Sequence, residues 1–128
     1  MRFEDLEVWK RACRLCVDIF KELKECKDTG FKDQITRNAL SIPSNIAEGY
    51  ERSTNKDATK FFYYAKGSAG ELRTQIYISM EIGYIHKQTG LRWIQEAQEI
   101  SKMLSGLIKV RTTWTFYLEP NPCPTNPI

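Results

Sequence analysis

Apolar residues in the first quarter of the chain return at alternating steps of three and four: Leu6, Trp9, Cys13, Cys16, Phe20 and Leu23. This is the seam of an amphipathic helix, which brings one face round every 3.6 residues. A second row, Val8, Ala12, Leu15 and Ile19, lies about 100° further round. Together they cover about half of the helical wheel, wider than a single helix–helix seam needs. A helix over residues 4–27 is therefore predicted to touch two neighbours, or one neighbour and a second subunit. Glu4, Asp5 and Glu7 fall in its first turn, where acidic groups favour the helix dipole.

Asp28-Thr29-Gly30 interrupts the pattern, with Gly30 as a stop and Thr29 as a candidate cap for the next helix. Over residues 31–52, Phe31, Ile35, Ala39, Ile42, Ile46 and Tyr50 share one face of that second helix. Thr54-Asn55-Lys56-Asp57 has the form of a capping box and opens a third helix over about 55–83. Its expected seam is Ala58, Phe62, Ala65, Ala69, Leu72, Ile76, Ser79 and Gly83. A fourth helix over about 90–112 places Trp93, Ala97, Ile100, Leu104 and Leu107 inward. Four prolines from Pro120 onward forbid helix and remove backbone donors, so residues 118–128 are expected to form an extended tail. No strand-like alternation occurs. The predicted architecture is all-α: an antiparallel up-down-up-down four-helix bundle over residues 1–117.

Within the second helix, Ser41-Ile42-Pro43-Ser44-Asn45-Ile46-Ala47-Glu48-Gly49-Tyr50 carries a proline in mid-pattern. An interior proline costs about 3 kcal/mol and frees a carbonyl one turn upstream. Ser41, Ser44 and Asn45 are short polar residues able to bond nearby backbone groups instead. Gln34, Arg37, Ser41, Asn45, Glu48 and Arg52 form a polar stripe beside the apolar face. The stripe reads either as a managed kink with a surface Glu48–Arg52 pair or as a contact surface for a partner or second subunit. Arg37, Ser41, Pro43, Asn45, Glu48 and Arg52 are its candidate contact residues.

Gly67-Ser68-Ala69-Gly70 places two glycines in the third helix, each costing roughly 1 kcal/mol relative to alanine. Ala65 and Ala69 lie on the inner seam, whereas Gly67, Gly70 and Thr74 face the other way beside Tyr63, Ile78 and Glu81. Small residues turned outward suggest a second packing surface, hence self-association through Gly67, Gly70 and Thr74.

Chemistry is sparsely supplied. Cys13 and Cys16 make one Cys-x-x-Cys with no second pair, and both sit on the apolar seam, so core packing is expected there rather than a metal. The one histidine, His86, lies in a connection and leaves little material for nucleophilic catalysis or a di-iron site. No Gly-rich phosphate loop is present. Glu48, Glu71 and Glu81 act together only if the fold gathers them. The expectation is a non-enzymatic protein with no cofactor, metal or small-molecule substrate.

At 128 residues and 41% apolar content the chain can bury a single core. Net charge is +3 and spread evenly along the sequence, without a basic block. No run approaches the ~20 apolar residues of a membrane span. Met1-Arg2-Phe3-Glu4-Asp5 is unlike a signal peptide, and a cytoplasmic location with reduced cysteines is expected.

Four segments carry a family resemblance: Phe3-x-Asp5-Leu6-x-Val8-Trp9; Ser41 to Gly49; Gly67-Ser68-x-x-Glu71-Leu72-x-Thr74-Gln75; and Met103-Leu104-x-Gly106-Leu107-Ile108. In order and content they resemble the bacterial four-helix bundle family named for proteins encoded in 23S rRNA intervening sequences, across roughly residues 2–110. The resemblance implies a cytoplasmic bacterial protein with an antiparallel bundle fold and no established activity. The accessory variability proteins of diversity-generating retroelements are similar in fold, which implies a ring-shaped homopentamer. The functional expectation is a self-assembling interaction or scaffold module. The alternative is a ring-shaped accessory that binds RNA or DNA, with Arg37, Arg52, Lys56 and Arg73 as candidate contacts.

Overall fold

The computed structural model of the chain describes residues 1–118. A short 3-10 turn, Phe3–Asp5, precedes four α-helices: α1 (Glu7–Glu22), α2 (Thr29–Tyr50), α3 (Asn55–Glu81) and α4 (Lys87–Leu118). α1 packs on α2 and α4, and α3 packs on the same two helices from across the diagonal. This is the all-α up-down-up-down bundle that the periodicity predicts.

The differences lie at helix ends. Leu6 takes an extended conformation, ψ 127°, and separates the 3-10 turn from α1. The cap of α2 is Asp28 rather than Thr29: its Oδ1 accepts from the Phe31 amide at 3.1 Å, and Gly30 falls inside the first turn. A carboxylate caps better than a threonine hydroxyl and also meets the positive end of the dipole. The Tyr84 hydroxyl donates to Asp28 Oδ2 at 2.6 Å, while the Tyr84 ring sits edge-on to Phe31. The Tyr84 hydroxyl, and after it the Phe31 amide, hold the Asp28 carboxyl below its ordinary pKa, and the Tyr84–Asp28 bond raises the Tyr84 phenol. The α1–α2 and α3–α4 connections are thereby tied together. Thr54 caps α3 as expected, accepting from the Asp57 amide.

Gly83 lies beyond α3, with φ +84°, and turns the chain rather than extending the seam. α4 runs six residues past its expected end, because nothing before Pro120 breaks it. Of the expected tail, only Leu118 is described, and it is helical. Residues 119–128 lie outside the described residues.

The main core cluster runs from Val8, Leu15 and Ile19 of α1 through Ile35, Ile42 and Ile46 of α2 to Leu72 and Ile76 of α3 and Trp93, Ile100 and Leu104 of α4, and a smaller one joins Ala58 and Phe62 of α3 to Ile108 of α4. The buried residues of α1 are Val8, Ala12, Leu15, Cys16 and Ile19, continued by Leu23 just past the helix end. The row that starts at Leu6 lies largely on a flank. Trp9 and Cys13 are half-buried, and Phe20 is 47% exposed. The apolar arc is bisected by the core because α1 touches α2 on one side and α4 on the other.

Candidate functional site

The proline motif works mainly inside the protomer. α2 stays helical through Pro43, which is itself buried. The Ser41 hydroxyl lies 2.8 Å from the Asn38 carbonyl, and the Asn45 amide donates to the Ser41 carbonyl at 2.8 Å. Short polar side chains thus back-bond the helix on either side of the proline. Ser41 also meets Ser68 of α3, their hydroxyls 2.6 Å apart, and Asn38 donates to Gln75 at 3.1 Å. The stripe therefore borders α3. Pro43 lies about 200° round the wheel from Ser41, on the flank toward α1.

Gly49 is the residue of this motif that sequence reasoning passed over. A Cβ there would stand 2.7 Å from the Phe62 ring and 3.0 Å from the Ala58 carbonyl. Only glycine allows α2 and α3 to approach this closely.

At Gly67 and Gly70 the reverse holds. A Cβ at either position meets nothing within 4 Å. With exposed Thr74 they occupy the outer side of α3, flanked by Tyr63 and Ile78, as the wheel predicts. A different apolar surface lies beside α1, where Val17, Phe20 and, from α2, Leu40 are each about half exposed.

The four basic candidates are not gathered. Arg37 is exposed on α2, whereas Arg73 lies on the α4 flank of α3, two turns beyond Lys66, which donates to Ser105 of α4. Arg52 bonds Glu48 and stacks on Phe61, with the guanidinium 4.6 Å from the ring centre. Lys56 is exposed in the first turn of α3.

A cleft of about 430 Å³ opens between α1 and α4, lined in part by Arg14, Asp18, Arg92 and Glu99. In its wall Arg11 grips Glu96 with two bonds, Nε to Oε2 at 2.8 Å and Nη2 to Oε1 at 2.7 Å. The hydrogen bond from Arg11 holds the Glu96 carboxyl below its ordinary value, and the same bond raises the guanidinium. Trp93 also lines the cleft, and its buried indole Nε1 has no hydrogen-bond partner. Nothing in local spacing announces this site, because Arg11 and Glu96 are 85 residues apart.

The remaining chemical candidates stay dispersed. Glu48 is engaged by Arg52, and Glu71 and Glu81, both exposed, stand about 15 Å apart along α3. His86 is exposed between α3 and α4. Burial raises the Cys13 and Cys16 thiols, which makes them poor nucleophiles. Among the described residues no three His, Cys, Asp or Glu side chains gather as a metal site, and no helix is long and apolar enough to cross a membrane.

Comparison with known proteins agrees with this architecture. Residues 4–106 match the family model described as 23S rRNA-intervening sequence protein. A crystal structure of a protein of unknown function from the S23 ribosomal protein family of Bacteroides thetaiotaomicron superposes with a TM-score of 0.75 at 25% identity. The match covers 80% of this chain and 98% of that one. No curated protein sequence matches.

Proposed function

Because the chain belongs to the 23S rRNA-intervening sequence protein family, whose solved neighbour is itself of unknown function, we propose that it is a non-enzymatic bundle that assembles with copies of itself into a ring, a pentamer as the resemblance to accessory variability proteins implies, and serves as an interaction scaffold. The observation that carries this reading is the surface left over once the core is complete. Val17, Phe20 and Leu40 stay half in water on the flank shared by α1 and α2. Three large apolar side chains on one flank are worth several kcal/mol when covered, at about 25 cal/mol per Å² of apolar area.

A closed ring needs two unlike faces that meet head to tail. The apolar flank of α1 and α2 supplies one. The outer face of α3 around Gly67, Thr74 and Ile78 supplies the other, nearly opposite it across the bundle diagonal.

Light scattering on the purified chain tests the proposal. The expected mass is five times the 14.9 kDa of one chain. Val17→Asp combined with Phe20→Asp should yield protomers of unchanged helicity. A wild-type chain that stays monomeric at micromolar concentration would overturn the reading.

A further inference from the structure

Charge that is evenly spread along the sequence becomes one-sided where α3 meets α4. On α3, Tyr63, Lys66, Arg73 and Tyr77 recur at helical spacing on the flank toward α4. On α4, Lys109 lies on the flank toward α3, and Lys102 stands two turns before it on the exposed side of the helix. Two observations join these rows. Lys66 donates to Ser105 at 2.8 Å, and Tyr63, Lys66, Ser105 and Lys109 line one cavity of about 290 Å³. The helices run antiparallel, so Arg73 and Lys102 continue the same furrow toward the other end of the bundle.

The furrow thus holds Lys66, Arg73 and Lys109, with Lys102 at its rim and one carboxylate, Glu81, closing the α3 row four residues past Tyr77. A neighbouring carboxylate, Glu99, makes an exposed pair with Lys102 at 3.7 Å. Tyr63 and Tyr77, 59% and 54% exposed, flank the furrow about 21 Å apart along α3. Between them Gly70 leaves the wall open, since a Cβ there meets nothing within 4 Å.

We infer that this furrow binds single-stranded nucleic acid, with Lys66, Arg73, Lys102 and Lys109 on the phosphates and Tyr63 and Tyr77 stacked under bases. Three cations along one furrow, with carboxylates only at its end (Glu81) and rim (Glu99), favour a polyanion. Exposed phenol rings at both ends add a partner for unstacked bases, which a duplex does not offer. A span of about 21 Å suits the short end of single-strand site sizes, about four nucleotides. A membrane surface fits less well, because the furrow is concave and its rim carries tyrosine hydroxyls rather than aliphatic side chains. The inference concerns one protomer; because Tyr63 and Gly70 border the α3 face proposed for assembly, binding is read on the Val17→Asp, Phe20→Asp protomer as well as on the wild-type chain.

Fluorescence anisotropy of labelled oligouridylate with the full-length protein tests it. Binding at low salt should weaken as salt rises, with a logarithmic slope of roughly −3 for four phosphate contacts. Lys66→Glu with Lys109→Glu should lower affinity at least tenfold. Lys10→Glu with Lys21→Glu, on the solvent side of α1, changes net charge equally and should have a much smaller effect. Tyr63→Ala with Tyr77→Ala should lower affinity about tenfold and leave the salt slope unchanged. Circular dichroism of each variant confirms helicity, and any variant that has lost it is replaced by Lys66→Gln with Lys109→Gln. The inference fails if oligouridylate does not bind at low salt, or if the α1 variants weaken binding as much as the furrow variants. It fails equally if a duplex of the same length binds as tightly, or if anionic phosphatidylserine vesicles bind and the oligonucleotide does not.

Discussion

The ring of Phe62 occupies the space that a side chain on Gly49 would need. A Cβ built on Gly49 lies 2.7 Å from Phe62 Cε1 and 3.0 Å from the Ala58 carbonyl oxygen, and the Phe62 ring is fully buried. Neither obstacle is the free end of a flexible chain. Gly49→Ala should therefore destabilise the protomer by about 1–3 kcal/mol, the usual cost of overpacking, despite the better helix propensity of alanine. Urea denaturation measures this directly. A variant as stable as the wild type would mean that α2 and α3 can separate at this level without loss.

That contact also marks how far a sequence can be read. Helix number and order and the inner seams of α2, α3 and α4 follow from periodicity, because each of those helices has one face dominated by apolar residues, whereas periodicity does not say which of the two apolar rows of α1 the core takes. Ile35, Ala39, Ile42 and Ile46 are buried where the spacing puts them. Helix ends are less legible, since neighbouring caps compete: Asp28 outcompetes Thr29, and α4 continues until Pro120 is near. The sites are least legible. Gly49 resembles any helical glycine until the Phe62 ring is seen beside it. Arg11 and Glu96, or Lys66 and Lys109, become neighbours only once the bundle closes.

Ser41 and Ser68 offer a local measure of the α2–α3 seam. Their hydroxyls are 2.6 Å apart, and the Ser41 hydroxyl also meets the Asn38 carbonyl. Ser41→Ala should cost about 1 kcal/mol, the typical net worth of a partly buried hydrogen bond. In a double-mutant cycle with Ser68→Ala the coupling should be favourable and about 0.5–1 kcal/mol. Additive effects would show that the seam is held by packing alone.

The Arg11–Glu96 clasp predicts a pH dependence. Its side chains are 28% and 30% exposed, so the pair is screened less than a surface bridge. Folding lowers the Glu96 pKa, chiefly through the hydrogen bond from Arg11. As pH falls, the unfolded chain takes up this proton first, near the ordinary value of 4.5. The clasp therefore contributes fully at neutral pH, weakens below about 4.5, and is lost once pH passes below the folded pKa. Glu96→Gln should cost about 1–2 kcal/mol at pH 7. It should also flatten stability against pH on the acid side, measured as urea midpoints from pH 7 to pH 3. Parallel curves for wild type and variant would show that the clasp contributes nothing to acid sensitivity.

Gly67 separates the helix from the assembly. Within one protomer nothing lies within 4 Å of a Cβ at this position. On that basis Gly67→Ala should stabilise α3 by up to about 1 kcal/mol, because an exposed helical glycine carries only its entropic cost. Gly67→Leu adds a bulky side chain to the same open face, so an isolated protomer should tolerate it with helicity intact. If a second copy packs on this face, the leucine should lower the assembled mass in light scattering even while the circular dichroism spectrum stays the same. An assembly of wild-type mass would show that the outer face of α3 is free of subunit contacts, and the second face of the ring would then have to be sought elsewhere on the bundle.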